Sequence, residues 1–146
     1  ALAGGCVRDA MMTRFRTLTA QDTLAKAVTE LLAGSQQDFP VLENDRPVGI
    51  LRRNDLVKAL SEGRSDAGVT EAMCRDCETV DEAAPLGSAI ESMRARQCAT
   101  MPVVASGRIV GLLTLEHVSE MIMVNTAMEH QGAGQSVPPK LSPQHL

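Results

Sequence analysis

Three short stretches of this chain carry side chains that could do chemistry. Cys74-Arg75-Asp76-Cys77 has the C-x-x-C spacing of zinc and redox sites. Gly49-Ile50-Leu51-Arg52-Arg53-Asn54-Asp55 sets two guanidinium groups beside a carboxylate, and Gly111-Leu112-Leu113-Thr114-Leu115-Glu116-His117 offers a hydroxyl, an acid and an imidazole. A structural zinc site needs four ligands, usually from two such cysteine pairs, and the sequence has no second pair. Cys6 and Cys98 have no partner by spacing. Met121, Met123 and Met128 fall in a late helical stretch, where a core or a dimer surface is expected rather than a soft-metal site. No nucleophile, base and orienting acid are suggested together, so neither a catalytic residue nor a metal ligand is expected.

Composition narrows the classes further. The 146 residues hold two Phe, no Tyr and no Trp, so the core must be built from Leu, Val, Ile, Met and Ala. Binders that stack bases need aromatic platforms, and a net charge of −4 without a long basic run gives a phosphate backbone nothing to hold. A nucleic-acid partner is therefore not expected. No apolar stretch approaches the roughly 18 residues of a membrane span. The first six residues lack the charged and apolar regions of a signal peptide. Four irregularly spaced cysteines do not make a disulfide framework, which points to a reducing, cytoplasmic setting.

The elements that must position these groups come in two copies. Shifting the sequence by 62 residues lays Val7 on Val69, Ala10 on Ala72, Met11 on Met73, Thr17 on Thr79 and Leu24 on Leu86. The same shift matches Pro40-Val41 with Pro102-Val103, Arg46 with Arg108 and Val48-Gly49 with Val110-Gly111. Thirteen identities fall in this register without a gap, where chance gives about three. Cys74 and Cys77 fall on Met12 and Phe15, positions that are apolar in the other copy. Thiols pack as small hydrophobes, which supplies a purely structural reading of the pair.

Each copy reads as strand, helix, strand, strand, helix. The first strands are expected at residues 15–18 and 77–80. Helices follow, with Leu24, Ala27, Val28, Leu31 and Leu32 on one face and Leu86, Ala89, Ile90 and Met93 on the other copy's face. Thr19 and Asp81 stand where N-caps belong, and Gly34 is a plausible stop. Apolar runs around Glu43-Asn44-Asp45-Arg46-Pro47 and Ser106-Gly107-Arg108 predict hairpins. Second helices are expected from about Asn54 and Glu116. The expected division is a flank at 1–6, a first repeat at 7–60, a linker at 61–68, a second repeat at 69–128 and a disordered tail at 129–146.

This order, with the Phe39-Pro40-Val41 and Met101-Pro102-Val103 segments and the Gly49-Ile50-Leu51 and Gly111-Leu112-Leu113 strands, resembles a tandem pair of cystathionine-β-synthase (CBS) domains, a Bateman module. The resemblance covers residues 7 to about 125. It implies an α+β fold of two βαββα repeats packed as a pseudo-twofold pair with two clefts. It further implies a non-catalytic regulatory module, able to bind an adenosine compound such as AMP, ADP or ATP and to control a protein joined to it, with no cofactor required. Three segments look more narrowly like the C-terminal region of bacterial site-2-type intramembrane zinc metalloproteases. They are Val7-Arg8-Asp9-Ala10-Met11-Met12-Thr13, Leu32-Ala33-Gly34-Ser35-Gln36-Gln37-Asp38-Phe39-Pro40-Val41 and Gly111-Leu112-Leu113-Thr114-Leu115-Glu116. That likeness implies an excised domain whose partner is the protease's membrane core. The zinc-binding His-Glu-x-x-His of such enzymes is absent from this sequence.

In ligand-binding CBS units the second hairpin strand ends in Gly, two apolar residues, Ser or Thr, two more residues, then Asp. The hydroxyl lies near phosphate at a helix N-terminus and the Asp takes the ribose hydroxyls. The same spacing also fits a capping box. Neither copy is complete. The first has Asp55 but Arg52 in place of the hydroxyl; Asn54 could cap instead, leaving Asp55 free for ribose and Arg52 or Arg53 for phosphate. The second has Thr114 but His117 in place of the acid. If one cleft binds a nucleotide, the expectation is the Asp55 cleft, with Thr17, Leu18, Asp38, Phe39 and Pro40 forming the base pocket. His117 could make the other cleft pH-sensitive. The competing class is a structural homodimerisation domain without ligand, stacked through Leu56, Val57, Leu60, Val118, Met121 and Ile122.

Overall fold

The computed structural model describes residues 5–134. Two three-stranded sheets form, one in each repeat. In the first, β1 (Leu18–Thr19) lies parallel to β2 (Asp38–Glu43), and β2 pairs antiparallel with β3 (Arg46–Arg52). Helix α1 (Leu24–Leu32) crosses between β1 and β2, and α2 (Arg53–Ser61) follows β3. The second repeat copies this with β4 (Val80–Asp81), α3 (Leu86–Arg96), β5 (Thr100–Ala105), β6 (Arg108–Thr114) and α4 (Leu115–Gly134). Every strand begins and ends 62 residues from its counterpart. The irregularities repeat too: the register slips at Val41/Leu42 and at Val103/Val104. Both hairpin turns need two left-handed residues, Asn44 and Asp45 in one and Ser106 and Gly107 in the other. The fold is α+β, as the pattern predicts.

The two repeats are not self-contained. Their cores exchange pieces. Val69 and Met73, from the start of the second repeat, pack with Leu18, Leu24, Phe39, Val41, Leu51 and Leu56 of the first. Val7 and Ala10, from the start of the chain, pack with Leu86, Met93, Met101, Leu113 and Val118 of the second. Backbone pairing fixes the exchange. Met12 bonds both ways with Leu112 (2.8 and 3.0 Å), and Cys74 does the same with Ile50 (2.7 and 2.9 Å). The segment expected to be a linker caps α1, since the Ala67 carbonyl accepts from the Leu24 N–H and the Ser65 carbonyl from the Ala25 N–H. Gly5 repeats this for Leu86 at the start of α3. A pseudo-twofold axis therefore relates the repeats, and each completes the other.

Several local expectations shift. The first strands start later than expected, at Leu18 and Val80 rather than 15 and 77, because only two residues of each reach a partner in β2 or β5. The cap of α1 is Thr23, whose hydroxyl accepts from the Lys26 N–H at 3.2 Å, not Thr19. Thr19 and Asp81 instead serve the turns before the helices: Asp22 accepts from the Thr19 N–H, and Asp81 from the Ala83 N–H. Pro85 holds the capping position of α3 without a side-chain bond. Leu32 points away from the core and is 78% exposed, while Leu24 and Ala27 are fully buried. Helix α4 runs to Gly134, past residue 128 and into the stretch expected to be disordered; the remainder of that stretch, 135–146, lies outside the described residues. No described helix is long and apolar enough to cross a membrane.

Candidate functional site

Each sheet delivers its last strand directly into a helix. Strand β3 becomes α2 at Arg52/Arg53, and β6 becomes α4 at Thr114/Leu115. A cleft opens at each junction. The first, about 440 Å³, is lined by Ile50, Arg52, Arg53, Asn54 and Asp55, with Cys77, Gln97 and Cys98 from the second repeat. The second, about 570 Å³, is lined by Leu112, Thr114 and Glu116, with Met12, Arg14, Phe15 and Arg16 from the first repeat. Gln37, Asp38, Ala99 and Thr100 line both clefts and form the wall between them. The exchange of segments in the core is the reason for this mixed lining: Arg14, Phe15 and Arg16 follow one swapped piece and Cys77 the other, and each lines the cleft at the other repeat's strand-to-helix junction.

In the first cleft the expected ligand groups satisfy one another. Arg52 Nε donates to Asp55 Oδ2 at 2.7 Å and a second guanidinium nitrogen donates to Oδ1 at 3.3 Å. The hydrogen bond to Asp55 holds the Arg52 guanidinium above its ordinary pKa. Asp55 is thus not left free, as expected, because an arginine at the hydroxyl position reaches three residues forward to the first turn of α2. Asn54 does not cap that helix either: Arg52 occupies the N-cap position, with no side-chain bond. Arg53 lines the cleft and makes no ion pair among the described residues.

In the second cleft the hydroxyl does its expected local work. Thr114 Oγ1 accepts from the His117 N–H at 3.0 Å at the head of α4, a 20-residue helix. Its own O–H is left to donate. Arg14 makes no ion pair among the described residues and lines this cleft. Arg16 is engaged with Glu30 at 2.7 Å, and Gln36 pins its backbone from both sides, accepting from the Arg16 N–H and donating to the Arg16 carbonyl. The same Gln36 donates to the Asp38 carbonyl, so the wall of the cleft is held in place. His117 lines neither cleft; its Nδ1 lies 4.0 Å from Glu120.

The nine residues singled out from sequence thus fall into three groups. Arg52, Arg53 and Asp55 meet in one cleft and Thr114 stands in the other, while His117 turns outward. Leu18, Phe39 and Pro40 are buried in or beneath the first sheet, and with Thr17 they line neither cleft. Leu18 and Phe39 belong to the first repeat's core, and of the residues expected to form a base pocket only Asp38 lines a cleft. Missed residues are Met12, Arg14 and Phe15 in one cleft, and Cys77, Gln97 and Cys98 in the other. One signal was present: Cys77 and Phe15 are equivalent under the 62-residue shift, so finding either near a cleft predicts the other.

Comparison with known proteins fits this geometry. The CBS-domain family model matches residues 7–62 and again 69–124. Over 103 residues the chain is 29% identical to inosine-5'-monophosphate dehydrogenase of Thermoplasma acidophilum. That match takes in 70% of this chain but spans only 20% of the relative's length. Among solved structures, AcuB from Vibrio cholerae superposes with a TM-score of 0.74 at 25% identity, covering 88% of this chain and 96% of that one. The CBS domain pair of protein MJ0100, solved in complex with 5'-methylthioadenosine and S-adenosyl-L-methionine, superposes with a TM-score of 0.68 at 25% identity, covering 80% of this chain and 98% of that one.

Proposed function

We propose, from the premise that this chain belongs to the CBS-domain family, that it is a non-catalytic regulatory module that senses an adenosine-containing ligand in its Thr114 cleft. The observation that carries the choice of cleft is the meeting of Thr114, Arg14 and Phe15 in one space of about 570 Å³. Free N–H groups and the dipole at the head of α4 favour an anion, and the Thr114 hydroxyl and the Arg14 guanidinium, which makes no ion pair among the described residues, add donors. Phe15, Met12 and Leu112 give an aromatic and apolar lining for a base. The Asp55 cleft is the weaker candidate, since Arg52 and Asp55 are spent on each other. A ligand complex of a structural neighbour supports the ligand class, because the MJ0100 pair was solved with two adenosine compounds.

Regulation follows from the wall that both clefts share. A ligand that orders Asp38 and Thr100 acts on both repeats at once, and any domain joined to the chain can read that change. The comparisons lend no support to a site-2 metalloprotease as that joined partner. The partner is accordingly proposed only as a domain of the same polypeptide or complex. A second reading, a homodimerising scaffold without ligand, is favoured by one observation: Met123, Val124 and Met128 on α4 are more than half exposed.

Calorimetric titration separates the readings. AMP, ADP, ATP and S-adenosyl-L-methionine are titrated into wild type, Thr114→Ala, Arg14→Ala and Asp55→Ala. Binding that Thr114→Ala and Arg14→Ala weaken and Asp55→Ala leaves intact is the expected outcome. Loss in Asp55→Ala alone moves the site to the first cleft. No heat with any compound favours the scaffold.

A further inference from the structure

Three of the four cysteines converge in space, although the spacing of the chain pairs only two of them. Cys74, Cys77 and Cys98 line one depression of about 340 Å³ together with Arg52, Asp76 and Arg96. Cys77 and Cys98 also line the Asp55 cleft, so the thiols sit in its wall. The Cys74 and Cys77 sulfurs are 4.0 Å apart. All three cysteines are free thiols. No described group of three or more His, Cys, Asp or Glu side chains is placed to hold a metal ion, which directs attention to thiol chemistry instead.

We propose that Cys74 and Cys77 form a redox modification site in which a low-molecular-weight disulfide converts the pair to an intramolecular disulfide, reshaping the Asp55 cleft. The two sulfurs must close from 4.0 Å to about 2.05 Å, within reach of side-chain rotation and a small loop shift. Cys74 is the fixed end, because its backbone bonds both ways with Ile50. Cys77 is the moving end, in a loop with no such anchor. Its displacement alters the cleft wall that faces Arg52 and Asp55.

The order of attack follows from the surroundings. Burial, the hydrogen bond with Cys98 and the neighbouring Cys74 push the Cys77 thiol up to about 12, so it stays protonated at neutral pH. Cys74, the anchored member of the pair and partly exposed in the depression, attacks first. Its thiolate bonds to one sulfur of the external disulfide and expels a thiolate, giving a mixed disulfide on Cys74. Cys77 then gives up its proton and attacks the Cys74 sulfur, expelling the second thiolate. Two protein thiols are oxidised, one external disulfide is reduced to two thiols, and the two protons go to those leaving groups. In a reducing compartment such a disulfide is transient, which suits a sensor rather than a structural staple.

Sequence makes the test clean. Tryptic cleavage after Arg64, Arg75, Arg94, Arg96 and Arg108 puts Cys74, Cys77 and Cys98 on three separate peptides, 65–75, 76–94 and 97–108. The reduced full chain is incubated with oxidised glutathione, quenched in acid and mapped without reduction. The expected result is peptide 65–75 linked to 76–94 in wild type and in Cys98→Ser, with no such link in Cys74→Ser or Cys77→Ser. Amide exchange should change in residues 50–55 of the oxidised wild type and stay unchanged in glutathione-treated Cys77→Ser. A link between 76–94 and 97–108, or glutathione adducts without any protein disulfide, would overturn the assignment. So would stoichiometric zinc on the reduced protein that the Cys74→Ser and Cys77→Ser variants fail to hold.

Discussion

Thr100 Oγ1 donates a hydrogen bond of 2.8 Å to Asp38 Oδ2, and the two residues are the same position of the two repeats. Under exact symmetry this position would face itself across the pseudo-twofold axis. Two aspartates there would repel and two threonines would bond weakly; the chain has one of each, a donor and a charged acceptor. Thr100 is 5% exposed, so its hydroxyl has no ready access to water. The pair stands in the wall shared by both clefts.

Removing that hydroxyl should therefore be felt. Thr100→Val keeps the shape and leaves Asp38 without its partner, and hydrogen bonds to charged groups contribute about 1.5–3 kcal/mol. A loss of that size in urea unfolding is expected, with Thr100→Ser close to wild type. Equal stability of Thr100→Val and wild type would mean that water replaces the bond at no cost.

The exchanged cores predict a matched pair of steric effects. A Cβ on Gly49 would lie 2.6 Å from Met73 Sδ and 3.0 Å from the Cys74 carbonyl oxygen. On Gly111 it would lie 2.5 Å from Met11 Sδ and 3.0 Å from the Met12 carbonyl oxygen. Overpacking of this kind costs about 1–3 kcal/mol. Gly49→Ala and Gly111→Ala should each destabilise in that range. Met73→Ala should lessen the cost of Gly49→Ala and leave that of Gly111→Ala alone, because contacting residues couple and distant ones add. Additive costs in both combinations would contradict the exchange.

How much of this was legible beforehand follows from which interactions are local. The repeat fixed the element order, because a 62-residue period with matched apolar faces admits one supersecondary unit used twice. Helix faces at Leu24/Ala27 and Leu86/Ala89 could be read from spacing, since burial on one side of a helix leaves a period. The exchange could not be read, because Val7 and Val69 are apolar in either arrangement and pattern does not say which core receives them. The expected base pocket rested on strand position alone, and strand position does not tell a core-facing residue such as Leu18 or Phe39 from one that lines a cleft, such as Asp38. Arg14 and Phe15 look like an ordinary loop until the opposite repeat is placed against them. The Arg52–Asp55 pairing was within reach of sequence, as oppositely charged residues three apart at a helix start face each other.

Acid should weaken the protein partly through Glu30. The hydrogen bond from Arg16, followed by the charges of Arg16 and Lys26, holds this carboxyl below its ordinary 4.5 in spite of an opposing effect of burial. A carboxyl with a depressed folded-state pKa contributes stability above its unfolded value, and loses it as pH falls through the folded one. Glu30→Gln should be less stable than wild type at neutral pH, and the gap should narrow as pH drops below 4.5. Urea midpoints across that range check it; a constant gap would mean that the Arg16 contact is one of packing rather than charge.

The long helix α4 bears on self-association. Helix α2 has nine residues, whereas its counterpart α4 has 20. Val118 is buried and Met121 partly so, yet every described side chain from Ile122 to Gln131 is exposed. That exposed half includes Ile122, Met123, Val124 and Met128, with Met123 at 72% and Met128 at 63%. Water does not favour a helix apolar on several sides, and a second copy of the chain offers the same surface for mutual burial. Burying one such side chain contributes about 1.5–3 kcal/mol, and 1.4 kcal/mol is about tenfold in a dissociation constant. Met123→Lys and Met128→Lys should therefore each weaken a dimer by about tenfold or more while the monomer stays folded, since neither side chain belongs to a core. Sedimentation equilibrium over a concentration series reads this directly. A wild-type monomer at high micromolar concentration would show that α4 does not pair with its own copy.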